Sequence, residues 1–383
     1  MRFKQLLRAK FSKLVWWLQE WRNKLTARTW SEKSIIYYTG STAEQWWPER
    51  LQTGLGGAES AVVYLAREWV KLGYQVIVYG NCGIKAGVYD GVGYLHYSQF
   101  NKYDKFSTLI LWESRNNSLL DRPIQADRIW LDIHGVPKNE QQFLKERVQK
   151  LSKIFVKSEF HYTLFQYPLF DHISPEKFKV ISNGITPSLL ELSQNSKEPY
   201  RLIYASQYIR GLEQMLLYGW PIIKAEISAA ELHIYYGWHF FDESYKNNPE
   251  RQAWKQKMIE LMHQSGVTEH GRVGQDKLAV EKSKSTIHYY ATTMREIDCI
   301  SVRESAAVGC VPVTTDYAAL SEKPYCVKVP GNPLARETQE AVAWKIVELL
   351  KNQEQLAAMK KQFKELVKHE TWNNIAKLWL EEF

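Results

Sequence analysis

The chain has 383 residues, too many for one ordinary hydrophobic core and suited to two domains. Apolar residues make up 45% and charged residues 24%, the balance of a soluble globular protein, and no apolar run approaches the ~18 residues that a membrane-spanning helix needs. The net charge is +8, but residues 1–33 hold nine Lys/Arg against two acids, which places +7 in the leader and leaves a nearly neutral body without the basic face that nucleic-acid binding requires.

The leader has its own pattern. Phe3, Leu7, Phe11, Leu14, Leu18, Trp21 and Leu25 recur at helical spacing, flanked by Lys4, Arg8, Lys10, Lys13, Arg22 and Lys24. Trp16 and Trp17 add interfacial aromatic rings. Two readings are open: a basic amphipathic helix lying on an anionic membrane surface, or a helix packed on its own domain with a solvated cationic rim. Charges interrupt every apolar stretch, so a cleaved signal peptide is not expected. Four cysteines (Cys82, Cys299, Cys310, Cys326) show no paired metal-type spacing and fit free thiols in the cytoplasm.

From Ser34 short apolar runs alternate with helical stretches. Strands are expected at Ile35–Tyr38, Gln75–Tyr79, Thr108–Trp112, Arg128–Ile133, Lys153–Val156 and Lys179–Ile181, with a clear helix at Ser60–Leu72. The polar segment 186–200, with Pro187 and Pro199, reads as an interdomain hinge. A second series follows: strands at Arg201–Ser206, Glu231–Tyr236, Thr286–Tyr290 and Val311–Val313, with helices at Gly211–Tyr218, Arg251–Gln264, Gln275–Ser283, Thr338–Lys351 and Gln355–Lys368. A last amphipathic helix covers Glu370–Phe383. The expected organisation is therefore α/β: a leader (1–33), an open parallel-sheet domain (34–185), a hinge (186–200), a second such domain (201–368) and a terminal helix (369–383). Two tandem parallel sheets of this kind bind ligands at the carboxyl ends of their strands.

Several residue groups carry chemistry. Gly54-Leu55-Gly56-Gly57-Ala58-Glu59 precedes a helix, where glycines let backbone N–H groups approach an anion or sugar. The same cluster is equally a plain helix start. It is not the dinucleotide fingerprint, because a long loop with Trp46, Trp47 and Pro48 separates it from the preceding strand. His134 lies just past a strand end and shares a face with Asp132, which can orient it; a loop-capping histidine is the alternative. Arg210 opens a helix after Ser206 and suits a diphosphate clamp or a structural ion pair. Arg272 offers a second cation.

The stretch Thr293–Thr315 holds Glu296 and Glu304 with seven residues between them. Eight positions apart, the two are ~80° out of phase on one helix, so they need a loop-to-helix transition. Ser301-x-x-Glu304 also matches a capping box, which gives Glu304 a structural role. Glu296 sits in a loop and has no such role.

In order along the chain, GLGGAES, HG at His134, KSEFH, ISNGI, YASQYIRGLEQML, AELHIYYG, HGRVGQDKLA and E-x7-E running into AAVGCVPV resemble the retaining glycosyltransferases of the GT-B fold, in particular glycosyltransferase family 4 (group 1 glycosyl transferases). The resemblance runs from about Ser34 onward. It implies two Rossmann-like domains facing a cleft, with a nucleotide-diphosphate sugar bound mainly by the second. On that resemblance, Glu296 binds the donor sugar hydroxyls and Glu304 the ribose. Arg210 pairs with the diphosphate, while the backbone around Cys299 and Ile300 approaches the phosphates. Gly56 and Gly57 face the phosphate or acceptor side, and His134 lines the reaction centre. The chain departs from the family at Ser206, where a cation is usual, at Asp298 and Cys299 after Glu296, and at Arg303 and Ser305 beside Glu304.

The resemblance implies sugar transfer to a glycan or lipid-linked acceptor in cell-surface polysaccharide or glycolipid synthesis. With no D-x-D in a suitable context, no metal or other cofactor is expected. The departures keep two alternatives open, a non-transferring nucleotide-sugar binding protein and a sugar-nucleotide epimerase. The expected location is the cytoplasm, peripheral to the inner face of the membrane.

Overall fold

The computed structural model describes residues 17–137 and 139–383. The leader pattern over residues 1–16 therefore lies outside the described residues. The chain forms two compact units: one comprises the residues up to Gln45, Trp69–Phe155 and Tyr167–Lys179, the other Trp46–Glu68, Val156–Gln166 and Val180–Phe383. The glycine loop thus belongs to the second unit.

The first unit carries an eight-stranded sheet. Its strands are β1 (Ser34–Tyr38), β2 (Gln75–Gly80), β3 (Gly87–Tyr89), β4 (Val92–His96), β5 (Lys105–Trp112), β6 (Gln125–Asp132), β7 (Lys153–Val156) and β8 (Phe178–Val180). They stand in the order β3-β4-β2-β1-β5-β6-β7-β8. The pairings from β4 through β7 are parallel. Continuous apolar runs such as Ile35-Ile36-Tyr37 and Leu109-Ile110-Leu111 are fully buried, as strands covered on both faces require.

Strands β3 and β4 are not anticipated by the alternation of runs. They form an antiparallel hairpin across Asp90-Gly91, with φ of +50° and +80°. An Asp-Gly pair with both residues left-handed is the preferred two-residue hairpin turn, so the signal is present in the sequence.

The second unit carries six strands, β9 (Glu198–Ala205), β10 (Glu231–Tyr235), β11 (Val267–Glu269), β12 (Ser285–Tyr290), β13 (Val311–Thr315) and β14 (Val327–Val329). Their order is β11-β10-β9-β12-β13-β14, parallel throughout. The chain runs outward from β9 to β11, then returns to β12 and runs outward on the other side. That reversal makes the boundary between β9 and β12 a topological switch point, where ligands bind in open α/β sheets. Segment 186–200 is packed, with the short helix Ser188–Leu192 and with Leu189 buried in the second unit's core.

The helix expected at Gly211–Tyr218 runs on further than its pattern suggests. A π-helical turn at Met215–Gly219 leads into the helix Trp220–Glu226. Pro221 cannot donate a helical hydrogen bond, and a widened turn is one way for a helix to pass such a residue.

Candidate functional site

In the second unit the candidate residues collect at the switch point. Strand β9 ends at Ala205, and the next residue, Ser206, shares a hydrogen bond with the Tyr290 hydroxyl at 3.2 Å. Strand β12 ends at Tyr290, whose hydroxyl donates to Oε1 of Glu296 at 2.6 Å. Arg210 donates to the same oxygen at 2.5 Å. Gly211 makes this approach sterically feasible. At φ +91°, a Cβ there would stand 2.8 Å from the Ala291 carbonyl and 2.9 Å from the Thr293 nitrogen. Only glycine lets the turn after β9 lie so close to the segment after β12.

The pair is asymmetric. The Glu296 side chain is 7% exposed, whereas Arg210 keeps 31% of its surface. The Glu296 carboxylate holds the Arg210 guanidinium well above its ordinary pKa. Burial, and then the Glu296 charge, push the Tyr290 phenol well above its usual range, so it remains a donor. The result is a buried, oriented carboxylate beside a cation with an open edge.

Two residues on, the chain builds a different ion pair. Asp298 accepts two bonds from Arg303, at 2.8 and 2.6 Å, and one from Lys323 at 2.5 Å. The Asn183 backbone and side-chain amides also donate to it. Burial opposes its charge, but Arg303 and Lys323 hold the carboxyl well below the usual range. Next comes Cys299, left-handed at φ +71°, which caps the helix Ile300–Ala307. Burial pushes its thiol up to about 12, with the Glu296 charge adding to the effect.

The capping-box reading is not what the structure has. The Ser301 hydroxyl donates to the Ala205 carbonyl at 2.9 Å and so ties the helix to the end of β9. Glu304 instead accepts from Lys282, a lysine with only 1% of its side chain exposed, at 2.7 Å. That bond crosses from the helix Gln275–Lys284. Glu304 also acts electrostatically on the Tyr64 phenol, whose pKa burial raises first.

The glycine loop stands in the same neighbourhood. A Cβ on Gly57 would lie 3.8 Å from Ile300 Cδ1, and the Glu59 carboxylate occupies the space that a Cβ on Gly56 would need. Gly54, at φ +116°, leaves room for Arg272, whose Cγ would be 2.6 Å from a Cβ there. Both Arg272 and Arg210 act on the Tyr236 phenol. Arg210, Glu296, Ser206, Cys299, Ile300, Gly56, Gly57, Glu304 and Arg272 thus all belong to the second unit.

His134 belongs to the first unit. Its Nε2 meets Asp132 Oδ2 at 2.9 Å, and the Tyr37 hydroxyl donates to the same oxygen. The His134 N–H donates to Glu113 at 3.1 Å. Glu113 escapes the sequence reading. It follows β5 directly, at φ +65° and ψ 144°, and burial raises its carboxyl pKa. Its signal was positional, a carboxylate just past the end of a buried parallel strand.

Among the described residues no group of three or more His, Cys, Asp or Glu stands together as a metal site. None of the described helices is long and apolar enough to cross a membrane.

No family model matches the sequence, and no curated protein matches it. Solved structures do. Sucrose-phosphate synthase from Thermosynechococcus elongatus superposes with a TM-score of 0.70 at 14% identity, over 91% of this chain and 97% of that one. A glycosyltransferase from Rickettsia africae does so at 0.66 and 12%, over 91% and 97%. Anabaena HepE in complex with UDP and glucose gives 0.64 and 11%, over 91% and 98%. The chain has the GT-B fold. At these identities the likeness establishes architecture, and the chemistry of this GT-B chain rests on its own residues.

Proposed function

We propose that the chain is a retaining, metal-independent glycosyltransferase. It moves a sugar from a nucleotide-diphosphate sugar to a glycan or lipid-linked acceptor, in cell-surface polysaccharide or glycolipid synthesis at the cytoplasmic face of a membrane. The observation that carries this reading is the Tyr290–Glu296–Arg210 arrangement at the switch point of the second sheet. HepE, of the same fold, was solved with UDP-glucose.

Glycosyl transfer needs stabilisation of a departing diphosphate and of an oxocarbenium-like centre. A donor diphosphate competes with Glu296 for the open edge of Arg210. Glu296, kept in place by Tyr290, then accepts from the sugar hydroxyls. When the bond from sugar to diphosphate breaks, the diphosphate takes the electron pair, an acceptor hydroxyl oxygen becomes bonded to the anomeric carbon, and that hydroxyl's proton leaves with the departing diphosphate. Arg210 and the first-turn backbone N–H groups of the helix Ile300–Ala307, whose N-cap is Cys299, stabilise the charge on the diphosphate. Glu304, with Lys282 on its Oε2, accepts from the ribose hydroxyls through its other oxygen. Arg272 supplies the second cation that Ser206 cannot, and Gly56-Gly57 lets backbone approach the phosphates. His134, held by Asp132 within the first unit, is the residue that the family resemblance assigns to catalysis.

The test is a thermal-shift screen of nucleotide diphosphates and their sugars, followed by transfer assays with the donor found. Donor binding raises the melting temperature by mass action. Chelation leaves transfer unchanged, and product NMR shows a retained anomer. An absence of any shift across the panel contradicts the donor assignment. Binding without turnover, over a broad acceptor panel, favours instead a binding protein of this fold. The neutral Ser206 and the Cys299 departure motivate that second reading. Conversion of the donor with no acceptor present would indicate an epimerase.

A further inference from the structure

Residues 17–25 form a helix whose two sides are unlike. On one side Glu20 accepts from Lys102 at 2.7 Å and from the Tyr103 hydroxyl. Asn101 donates to the Asn23 carbonyl at 2.8 Å. Just beyond the helix, the Arg28 backbone and the Trp30 indole both donate to the buried Asp104, at 3.0 and 2.9 Å. The polar side is thus clasped to the first unit.

The other side is apolar and open. Trp17, Leu18, Trp21 and Leu25 are 56%, 48%, 54% and 65% exposed. At about 100° per residue these four span an arc of about 100°, centred about 140° from the midpoint of Glu20 and Asn23. Arg22 and Lys24 stand just outside its two edges. A helix of a soluble domain normally turns its apolar stripe inward and its polar side out. Here the arrangement is reversed.

Charge and residue type identify the occupant. Residues 1–33 carry nine cations and two acids, and the first sixteen residues include Arg2, Lys4, Arg8, Lys10 and Lys13 with no acid at all. Tryptophan on an apolar stripe edged by Arg and Lys suits the boundary between headgroups and acyl chains of an anionic bilayer. We propose that Trp17, Leu18, Trp21 and Leu25 form a lipid-docking stripe. The Glu20 clasp holds that stripe fixed to the first unit, so that docking sets the orientation of this unit on the membrane rather than tethering it loosely. The inference deepens the membrane-surface part of the functional reading and rests on it.

The experiment is co-sedimentation of the full chain with phosphatidylcholine vesicles, with and without phosphatidylglycerol. The parent, Trp21→Ser/Leu25→Ser and a chain lacking residues 1–25, which keeps the Arg28 and Trp30 bonds to Asp104, are compared. The parent binds the anionic vesicles, and salt weakens that binding. The double variant keeps the parent's melting temperature and loses affinity at least about tenfold. If it binds as the parent does while the truncated chain does not bind, charge alone holds the leader to lipid; the stripe is overturned and the membrane reading stands. If the parent binds neither vesicle, both fall. If light scattering shows a dimer that the double variant abolishes, a second copy covers the stripe and the inference is overturned.

Discussion

The carboxylates of two ion pairs, Glu296 and Asp298, lie within one loop of the second unit, and the pairs are built in opposite ways. Arg210–Glu296 joins a buried carboxylate to a cation with 31% of its side chain exposed. Asp298–Arg303, two residues away, is closed, with the side chains 1% and 0% exposed and with Lys323 and Asn183 filling the remaining acceptor sites. A closed pair gains nothing from a ligand and loses much if opened. An open pair has an edge at which an incoming anion can replace the resident carboxylate.

The largest effect should come from opening the closed pair. Arg303→Met leaves Asp298 buried and under-compensated, and should cost about 3–5 kcal/mol in urea unfolding, because breaking a buried pair strands a charge. A loss below about 1 kcal/mol would mean that the triad is not the closed scaffold described. Arg210→Ala removes the open cation and should slow transfer about 10²–10³-fold, as losing one preorganised stabiliser of developing charge does. It leaves the buried Glu296 with the Tyr290 hydroxyl as donor and should lower the urea midpoint by less than Arg303→Met does. A variant that unfolds instead would make Arg210 a structural residue.

Acid separates the pairs next. The Asp298 carboxyl is depressed in the folded state, so its contribution is fully present above the ordinary aspartate value of 3.8 and is lost as pH falls from there towards the folded value. Melting temperature should therefore drop steeply below about pH 4. Asp298→Asn should be less stable at pH 7 but show a shallower acid slope; an unchanged slope would argue against the ion triad. The smallest effect is chemical. Burial raises all four thiols, Cys299 to about 12 and Cys310 to about 11. The native chain should therefore resist iodoacetamide at pH 8, and rapid labelling of Cys299 would show that its loop opens.

The α/β organisation was legible because buried parallel strands are written as apolar runs. Ile35–Tyr38 and Thr108–Trp112 fall inside β1 and β5. Strands β11 and β14 have three residues each, too few to carry a period. Glu296 stood out in the sequence because a loop carboxylate had no structural role to fill. Its partner Tyr290 did not, because a tyrosine ending a strand reads as core until its hydroxyl is placed. Asp298 read only as a departure from a pattern, since its three partners, Asn183, Arg303 and Lys323, are distant in sequence or turned inward by the fold. The capping-box reading of Glu304 failed for a related reason. Spacing shows what Ser301 and Glu304 can do for each other, and only tertiary packing supplies the competing partners, Ala205 and Lys282.

The central claim is that Glu296 serves the donor sugar and not the fold. Glu296→Ala should be assayed for unfolding midpoint, nucleotide-diphosphate binding and sugar transfer. The expected result is a native midpoint, retained binding of the nucleoside diphosphate and transfer reduced at least about 10²-fold. Full transfer by this variant would contradict the claim.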